Sequence, residues 1–253
     1  MQTEELFYPQ VVARLGPYTF DRGIVVETYS AKQKTCDWAK VRFTEDIYQP
    51  KISLSRMDPA VLSFGYGNVL DDTFSGYVAI PYNAGGFADE IILKDEMIRL
   101  ETAKINSTFQ DTTPQEIVSY LLEMVGISAY SLAADPYPAK KRFSVRWSTV
   151  VQAIRQMHAA WGISQPFFFS DGVFYWGTKP VQNKVYVFEY GVNILTLTRS
   201  AGIWELETVS APFVRHSQMI RVEHPKVRGE FEVSAVRMIT NDDGFIRTYI
   251  SFA

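Results

Sequence analysis

The segment "DTTPQEIVSYLLEMVGIS", residues 111–128, is the first strongly helical stretch in a chain whose N-terminal part is patterned for strands. Thr113 is suited to the N-cap, Pro114 to the first helical position, and Glu116 stands three residues after the cap, which makes a capping box. Apolar residues then recur on one helical face, at Ile117, Val118, Leu121, Leu122 and Val125. Gly126 supplies a left-handed end, so the segment predicts an amphipathic helix.

A second helix is predicted in "STVVQAIRQMHAAWGIS", residues 148–164. Thr149 and Gln152 repeat the spacing of the capping box, and Gly162 ends the helix. The apolar stripe consists of Val151, Ile154, Met157 and Trp161. Both helices close on Gly-Ile-Ser, so each is expected to lead into a strand in the same way.

The segment after the second helix, "QPFFFSDGVFYWGTK" at 165–179, predicts an aromatic β-hairpin. Its centre, Asp171-Gly172, favours the turn whose twist suits a two-residue hairpin. Between the helices, "AADPYPAKKR" at 133–142 predicts a proline-rich basic loop. Residues 107–181 are therefore expected to form a small α+β module with two helices and an aromatic hairpin.

The sequence on either side of this module is patterned for strands. Before it the candidates are "GIVVETYS", "WAKVRFT", "KISLS", "FSGYVAI", "EIILKD" and "MIRLETAKI". After it they are "NKVYVFEYG", "NILTLTRS", "GIWELETVSA", "SQMIRVEH", "GEFEVSAVRMIT" and "GFIRTYISF". Short strands with frequent turn signals are typical of sandwiches and barrels. The expected fold is α+β and mostly β, with β domains at 1–106 and 182–253.

Composition narrows the possible functions. The 253 residues carry a formal net charge of −3, which argues against a general nucleic-acid binder, since those have a basic patch or a pI above ~9. A single cysteine, Cys36, excludes an internal disulfide. No apolar stretch reaches the ~18–20 residues that span a bilayer. The polar, acidic start "MQTEELFYPQ" is unlike a signal peptide, so we expect a soluble protein made in the cytoplasm, or one exported without a visible leader.

Four carboxylates surround "IILK": Asp89, Glu90, Asp95 and Glu96. In a catalytic or metal-binding role, these carboxylates could supply the acid and base of a glycosidase, or bind calcium. Paired catalytic carboxylates need a fixed separation and one raised pKa. Charged residues at strand ends more commonly hold turns and remain hydrated. We therefore expect these four residues to hold turns.

The other candidate catalytic or metal-binding side chains are scattered. His158 falls beside Met157 on the second predicted helix, where it is expected at the edge of the core. His216 and His224 would lie about 26 Å apart on an extended strand, too far to share a metal. Pairing Cys36 with a histidine would require a spatial approach that the sequence does not indicate. No Gly-x-Ser-x-Gly elbow or phosphate-binding loop is present. No catalytic, cofactor-binding or metal-binding residue is predicted.

Two further groups could contact partners. The basic cluster Pro138–Arg142 with Arg146 fits a solvated loop, and docking to an acidic surface is the second interpretation. The aromatic runs Phe167–Phe169 and Phe174–Trp176 could stack on sugars or bases. Since they flank a tight turn beside an apolar helix, packing in the core is favoured.

An ordered set of segments resembles the tail hub family of long-tailed bacteriophages. This family includes the baseplate hub protein of contractile phages, late control protein D and the N-terminal hub region of type VI secretion spike proteins. The segments are "LSFGYGN" (62–68), "DTFSGYVAI" (72–80), "EIILKDEMIRLE" (90–101), "TTPQEIVSYLLEMVGI" (112–127), "SDGVFYWG" (170–177), "FEYGVNILTL" (188–197) and "GEFEVSAVRMITNDDGFIRTYISF" (229–252).

The resemblance implies a structural, non-enzymatic role without a cofactor. Three copies, each with two tube-like β domains, would form a pseudo-hexameric ring that joins the tail tube or distal tail protein to the spike or tail tip. Other baseplate subunits would be further partners. DNA would only pass through the ring, no membrane insertion is implied, and the protein would reside in the virion tail. Two alternatives remain open: a carbohydrate-recognising tail-tip or adhesion module with the hairpin as its platform, and a tail-associated peptidoglycan hydrolase.

Overall fold

The computed structural model describes residues 8–44, 52–67, 69–81, 90–241 and 244–253, and these form 18 strands and three helices. The predicted class, α+β and mostly β, is confirmed. The chain divides into two compact units, one made of Met1–Asp95 with Val181–Ala253 and the other of Glu96–Pro180.

The described residues of the N-terminal β segment form seven strands. They are β1 (Pro9–Leu15), β2 (Tyr18–Phe20), β3 (Ile24–Ala31), β4 (Trp38–Phe43), β5 (Pro59–Tyr66), β6 (Val69–Ile80) and β7 (Glu90–Lys94). They pair in the order β2–β1–β5–β6–β7–β4–β3, and every neighbouring pair is antiparallel. Alternate residues of β3 and β7 are buried, as expected for strands with one face toward a core.

The central unit holds the three helices and five strands. In chain order these are α1 (Met97–Thr102), β8 (Lys104–Thr112), α2 (Pro114–Met124), β9 (Tyr130–Leu132), β10 (Lys140–Thr149), α3 (Val150–Trp161), β11 (Phe167–Ser170) and β12 (Val173–Trp176). Strands β8 and β10 form a two-stranded antiparallel ribbon. Strand β12 lies between β11 and β9, so each of the two predicted helices leads into a strand that pairs with β12, on opposite sides of it.

Both predicted helices and the predicted turn are confirmed. The Thr113 amide donates to Glu116 Oε2 at 2.8 Å, and this bond lowers the pKa of the Glu116 carboxyl. The second capping box is also formed, with the Thr149 amide donating to Gln152 Oε1 at 2.9 Å. Asp171 and Gly172 both have positive φ, +48° and +77°, which closes the β11–β12 hairpin.

Three local predictions are wrong. "MIRLETAKI" begins as α1 rather than as a strand, because Met97, Ile98 and Leu100 are buried together at helical spacing. Residues 52–55 of "KISLS" lie outside any strand, and Ser55 donates its amide to Asp58 Oδ2 in a turn at 2.7 Å. Residues 140–142, predicted as loop, open strand β10, because pairing with β8 outweighs their weak intrinsic preference for strands.

In the C-terminal β segment, the part of the chain that the structure describes forms six strands. They are β13 (Tyr186–Glu189), β14 (Thr196–Ser200), β15 (Ile203–Val209), β16 (Met219–His224), β17 (Val227–Thr240) and β18 (Ile246–Phe252). They pair in the order β13–β16–β17–β18–β15–β14.

The two β segments have the same strand order. When β2 is set aside and the six strands of each segment are numbered along the chain, both segments read 1-4-5-6-3-2. In each, the fifth strand is long and bulged and follows the fourth in a tight hairpin. One difference is that β1 is antiparallel to β5, whereas β13 is parallel to β16.

A junction between β3 and β17 joins the segments into one 13-stranded sheet. The pairing is antiparallel and runs from Ala31↔Ala235 to Glu27↔Ile239. The Arg237 guanidinium contacts Glu27 at 2.9 Å across it. The sheet has two hydrophobic clusters, one made mainly of residues from β1 and β3–β7 with Ile246 of β18, and the other of residues from the C-terminal segment. The division into β domains at 1–106 and 182–253 stays a prediction.

Candidate assembly surfaces

The four carboxylates around "IILK" do not form one site. Asp95 is buried, with 7% of its surface exposed, so the prediction that it remains hydrated is wrong. Its Oδ1 accepts from the Cys36 thiol and its Oδ2 from the Asp37 amide, each at 3.2 Å, which ties the end of β7 to the loop between β3 and β4. Glu90 pairs with Lys40 at 3.4 Å.

Glu96 pairs with Arg99, three residues along the chain, at 3.0 Å. Asp89 lies outside the described residues. Of the four carboxylates, the three described ones therefore contact separate partners, and each of them contributes to a turn or a strand end.

Each of the three histidines has contacts of its own. His158, on α3, accepts the indole N–H of the buried Trp176 at 2.7 Å. His216 precedes β16 and contacts the Ser217 hydroxyl at 2.9 Å. His224 ends β16 with its ring against that of Tyr190. Within the described parts of the chain, no group of three or more His, Cys, Asp or Glu side chains could hold a metal ion.

His158 should make the central unit sensitive to acid. Burial lowers the pKa of His158 to about 4 from its usual 6.5, so between these values the unfolded chain binds a proton that the folded chain does not. The contribution of neutral His158 to the free energy of unfolding is complete above pH 6.5 and is lost as the pH falls toward 4. After allowance for partial solvent access, we expect a loss of about 2 kcal/mol.

Urea denaturation at pH 7 and pH 5, compared between wild type and His158→Gln, measures this contribution. The glutamine retains an acceptor for the Trp176 indole but does not titrate, so carboxylate titrations common to both proteins cancel. The interpretation fails if both proteins lose the same stability between the two pH values.

The aromatic hairpin is a packing element, as the sequence analysis favoured. Phe167, Phe168, Phe169, Phe174 and Trp176 are all buried. The rings contact one another edge-on or tilted, as in the Phe169–Phe174 pair at 5.2 Å. Because a sugar platform needs exposed ring faces, these five rings do not provide one.

The basic cluster lies on the β8–β10 ribbon. The Lys140 ammonium lies 5.1 Å from the centre of the Trp161 ring, and Lys141, Arg142 and Arg146 are exposed. Beside Arg146 the ribbon exposes Trp147 almost fully. Trp147 was not predicted as a contact residue, although a tryptophan within a basic segment of the sequence is a signal for one.

Strand β14 is an edge of the large sheet. It pairs with β15 on one side only within the described structure, and all its residues except Leu197 are exposed. The β14–β15 turn, Ala201-Gly202, has positive φ at both residues, so Ser200 and Ile203 form the closing hydrogen-bonded pair. Since hydrogen-bonding direction alternates along a strand, Leu197 and Arg199 present their amides to the open edge.

The strand order makes β14 the counterpart of β3, because each is the second strand of its segment in the shared order 1-4-5-6-3-2. Residues 27–31 of β3 pair with β17. The part of β3 that forms the junction within the chain thus has an open counterpart in β14.

Comparison with solved structures shows which class of protein has this fold. The chain is similar to the 43 kDa tail protein of prophage MuSo2 from Shewanella oneidensis (TM-score 0.70, 12% identity, 97% of each chain covered). It is also similar to a tail protein from Neisseria meningitidis (TM-score 0.68, 11% identity, 97% of this chain and 96% of that one covered).

A third similar structure is the E. coli protein c3393, a component of the type VI secretion system that is structurally similar to the T4 phage tail proteins gp27 and gp5 (TM-score 0.70, 13% identity, 95% of this chain and 76% of that one covered). No protein-family profile and no curated protein matches the sequence. The chain therefore has the fold of phage tail proteins and of a type VI secretion component, and the resemblance inferred from its sequence is confirmed at the level of the fold. None of the helices described could cross a membrane, given their length and polarity.

Proposed function

We propose that this chain is the structural hub of a phage or phage-like tail. Three copies would form a pseudo-hexameric ring that connects the tail tube or distal tail protein to the spike or tail tip, without enzymatic activity. The observation that carries the proposal is the repeated 1-4-5-6-3-2 strand order in two segments of one chain. A subunit with two lobes of one topology lets three chains present six similar units.

The junction between β3 and β17 suggests how such a ring closes. If the internal repeat extends between copies, β14 of one chain lies against β6 of the next, as β3 lies against β17. Part of that edge of β6 is occupied, because Val78 exchanges 2.9 Å backbone hydrogen bonds with Met57 and Asp58. Beyond this contact, strand β6 continues to Ile80, whose surface is 54% exposed. Edge strands left open promote aggregation, and closure of a ring removes them.

Replacing Arg199 with proline tests this arrangement. Proline removes an amide that faces the open edge, while the amides that pair β14 with β15 are retained. We expect the mass measured by light scattering at tens of micromolar to fall from three times the 28.8 kDa chain to that of one chain, with association weakened about tenfold or more. Adding the cognate spike or tube protein should promote the wild-type trimer.

Arg199→Thr is the matched control. It removes the same guanidinium, including its contact with the Trp204 ring at 5.2 Å, but keeps the backbone amide. It should assemble as the wild type does. A wild-type chain that stays monomeric with both partners present contradicts the hub proposal. If the Arg199→Pro variant assembles as the wild type does, only the placement of the interface at β14 is contradicted.

A further inference from the structure

Trp147 adopts an unfavourable backbone conformation and is exposed to solvent. It lies in a β-bulge of β10, where the register against β8 shifts between Val145 and Ser148. Its φ is +47°, in the left-handed region that bulky residues avoid, and its surface is 82% exposed. Bulges commonly re-aim a side chain. A positive φ is unfavourable for tryptophan and an exposed ring buries little apolar surface, so the stability of the isolated chain does not account for this residue.

The ribbon that presents Trp147 is positively charged. Strands β8 and β10 contain five basic residues and one acidic residue: Lys104, Lys140, Lys141, Arg142 and Arg146 against Asp111. All except Lys140 are exposed. None of the five forms an ion pair with a carboxylate of the described chain, so their charges are available to an external partner.

The outer face of the ribbon combines these charges with neutral hydrogen-bonding groups. Phe143 and Val145 point into the core, which directs their neighbours Arg142 and Ser144 outward. Ser144 lies opposite Thr108, with the two hydroxyls 3.0 Å apart, and Arg142 lies opposite Gln110. Arg146 and Trp147 extend this face at the bulge.

We propose that the outer face of the β8–β10 ribbon docks an acidic segment of another protein. Carboxylates of that segment would pair with Arg142 and Arg146, and an apolar side chain would pack on the Trp147 ring. Tryptophan and arginine are enriched among the few residues that carry most of the binding energy in protein interfaces. A nucleic acid is disfavoured, because the ribbon exposes a single indole rather than a row of rings, and the whole chain has a net charge of −3. This proposal does not depend on the assembly of three copies of the chain into a ring.

The test uses the full chain and a labelled synthetic peptide of alternating glutamate and leucine, followed by fluorescence anisotropy in 50 mM salt. We expect saturable binding that weakens at least tenfold in Arg142→Gln/Arg146→Gln and in Trp147→Gly. Higher salt should weaken it as well. Glycine tolerates the positive φ, so Trp147→Gly should also unfold at a urea concentration equal to or higher than the wild type.

Val181→Ser/Lys184→Gln, which changes an exposed apolar residue and a basic residue outside strands β8 and β10, is the matched control and should bind as the wild type does. The proposal is overturned if the wild type does not bind the peptide, or if a peptide with glutamine in place of glutamate binds equally well. Unchanged binding by the ribbon variants also overturns it. So does a single-stranded oligothymidine that binds more tightly than the peptide and loses affinity in the same variants.

Discussion

Gly76→Ala should destabilise the unit that contains the two β segments by about 3 kcal/mol or more. A Cβ at this position would lie 2.1 Å from the Lys94 carbonyl oxygen and 2.8 Å from the Asp95 Cα, both of them backbone atoms of the strand end that Gly76 packs against. Backbone cannot rotate away as a side chain can, so β6 and the end of β7 must separate. That separation also disturbs the buried Asp95 and its bonds to Cys36 and Asp37.

Urea denaturation monitored by circular dichroism measures the effect of Gly76→Ala, with Ser75→Ala as control. Ser75 is the exposed neighbour on the same strand, and removing its hydroxyl should change stability by less than ~0.5 kcal/mol. A Gly76→Ala protein as stable as the control would mean that β6 and β7 do not approach as closely as the structure has them. Gly76 of the segment "DTFSGYVAI" is thus explained by the close contact between two strands.

Trp176→Ala should cost the central unit about 3–5 kcal/mol. Trp176 is fully buried, its indole donates to His158, and its ring contacts those of Tyr137 and His158 at 5.9 Å. Alanine leaves a large cavity and removes the hydrogen-bond donor that His158 accepts from. The three-stranded sheet and α3 should therefore lose packing together, which thermal unfolding followed by near-UV circular dichroism detects.

Trp147→Ala is a control of the same residue type. Its ring is exposed, so its removal should leave the melting temperature within a degree or two of the wild-type value, while Trp176→Ala lowers it by roughly 10 °C or more. Equal effects of the two substitutions would contradict the burial of the aromatic hairpin. Loss of sugar binding in a folded Trp176→Ala protein would instead favour the carbohydrate-recognition alternative.

The sequence predicted those elements whose signals are local. The capping boxes at Thr113 and Thr149 and the Asp171-Gly172 turn each depend on a few adjacent residues, and the structure contains all three. Helix α1 was missed, because a six-residue helix with apolar residues at Met97, Ile98 and Leu100 also fits a short strand.

The candidate surfaces were harder to predict because they depend on distant residues. Asp95 is buried by contacts with a loop 58 positions earlier in the chain. Strand β14 was expected as a strand, but its open edge follows from the pairing of every other strand in the sheet. The positive φ of Trp147 arises from the register of β10 against β8, which no periodic pattern in the sequence reports.

The partners in the β3–β17 junction are far apart in sequence: Ala31 pairs with Ala235, a separation of 235 − 31 = 204 residues. At a ribosomal speed of about 5–20 residues per second, β3 waits roughly 10–40 s for the strand that covers it. During that interval its backbone can capture a strand from another nascent chain. Co-expression with a chaperone that binds exposed strands should therefore increase the soluble yield.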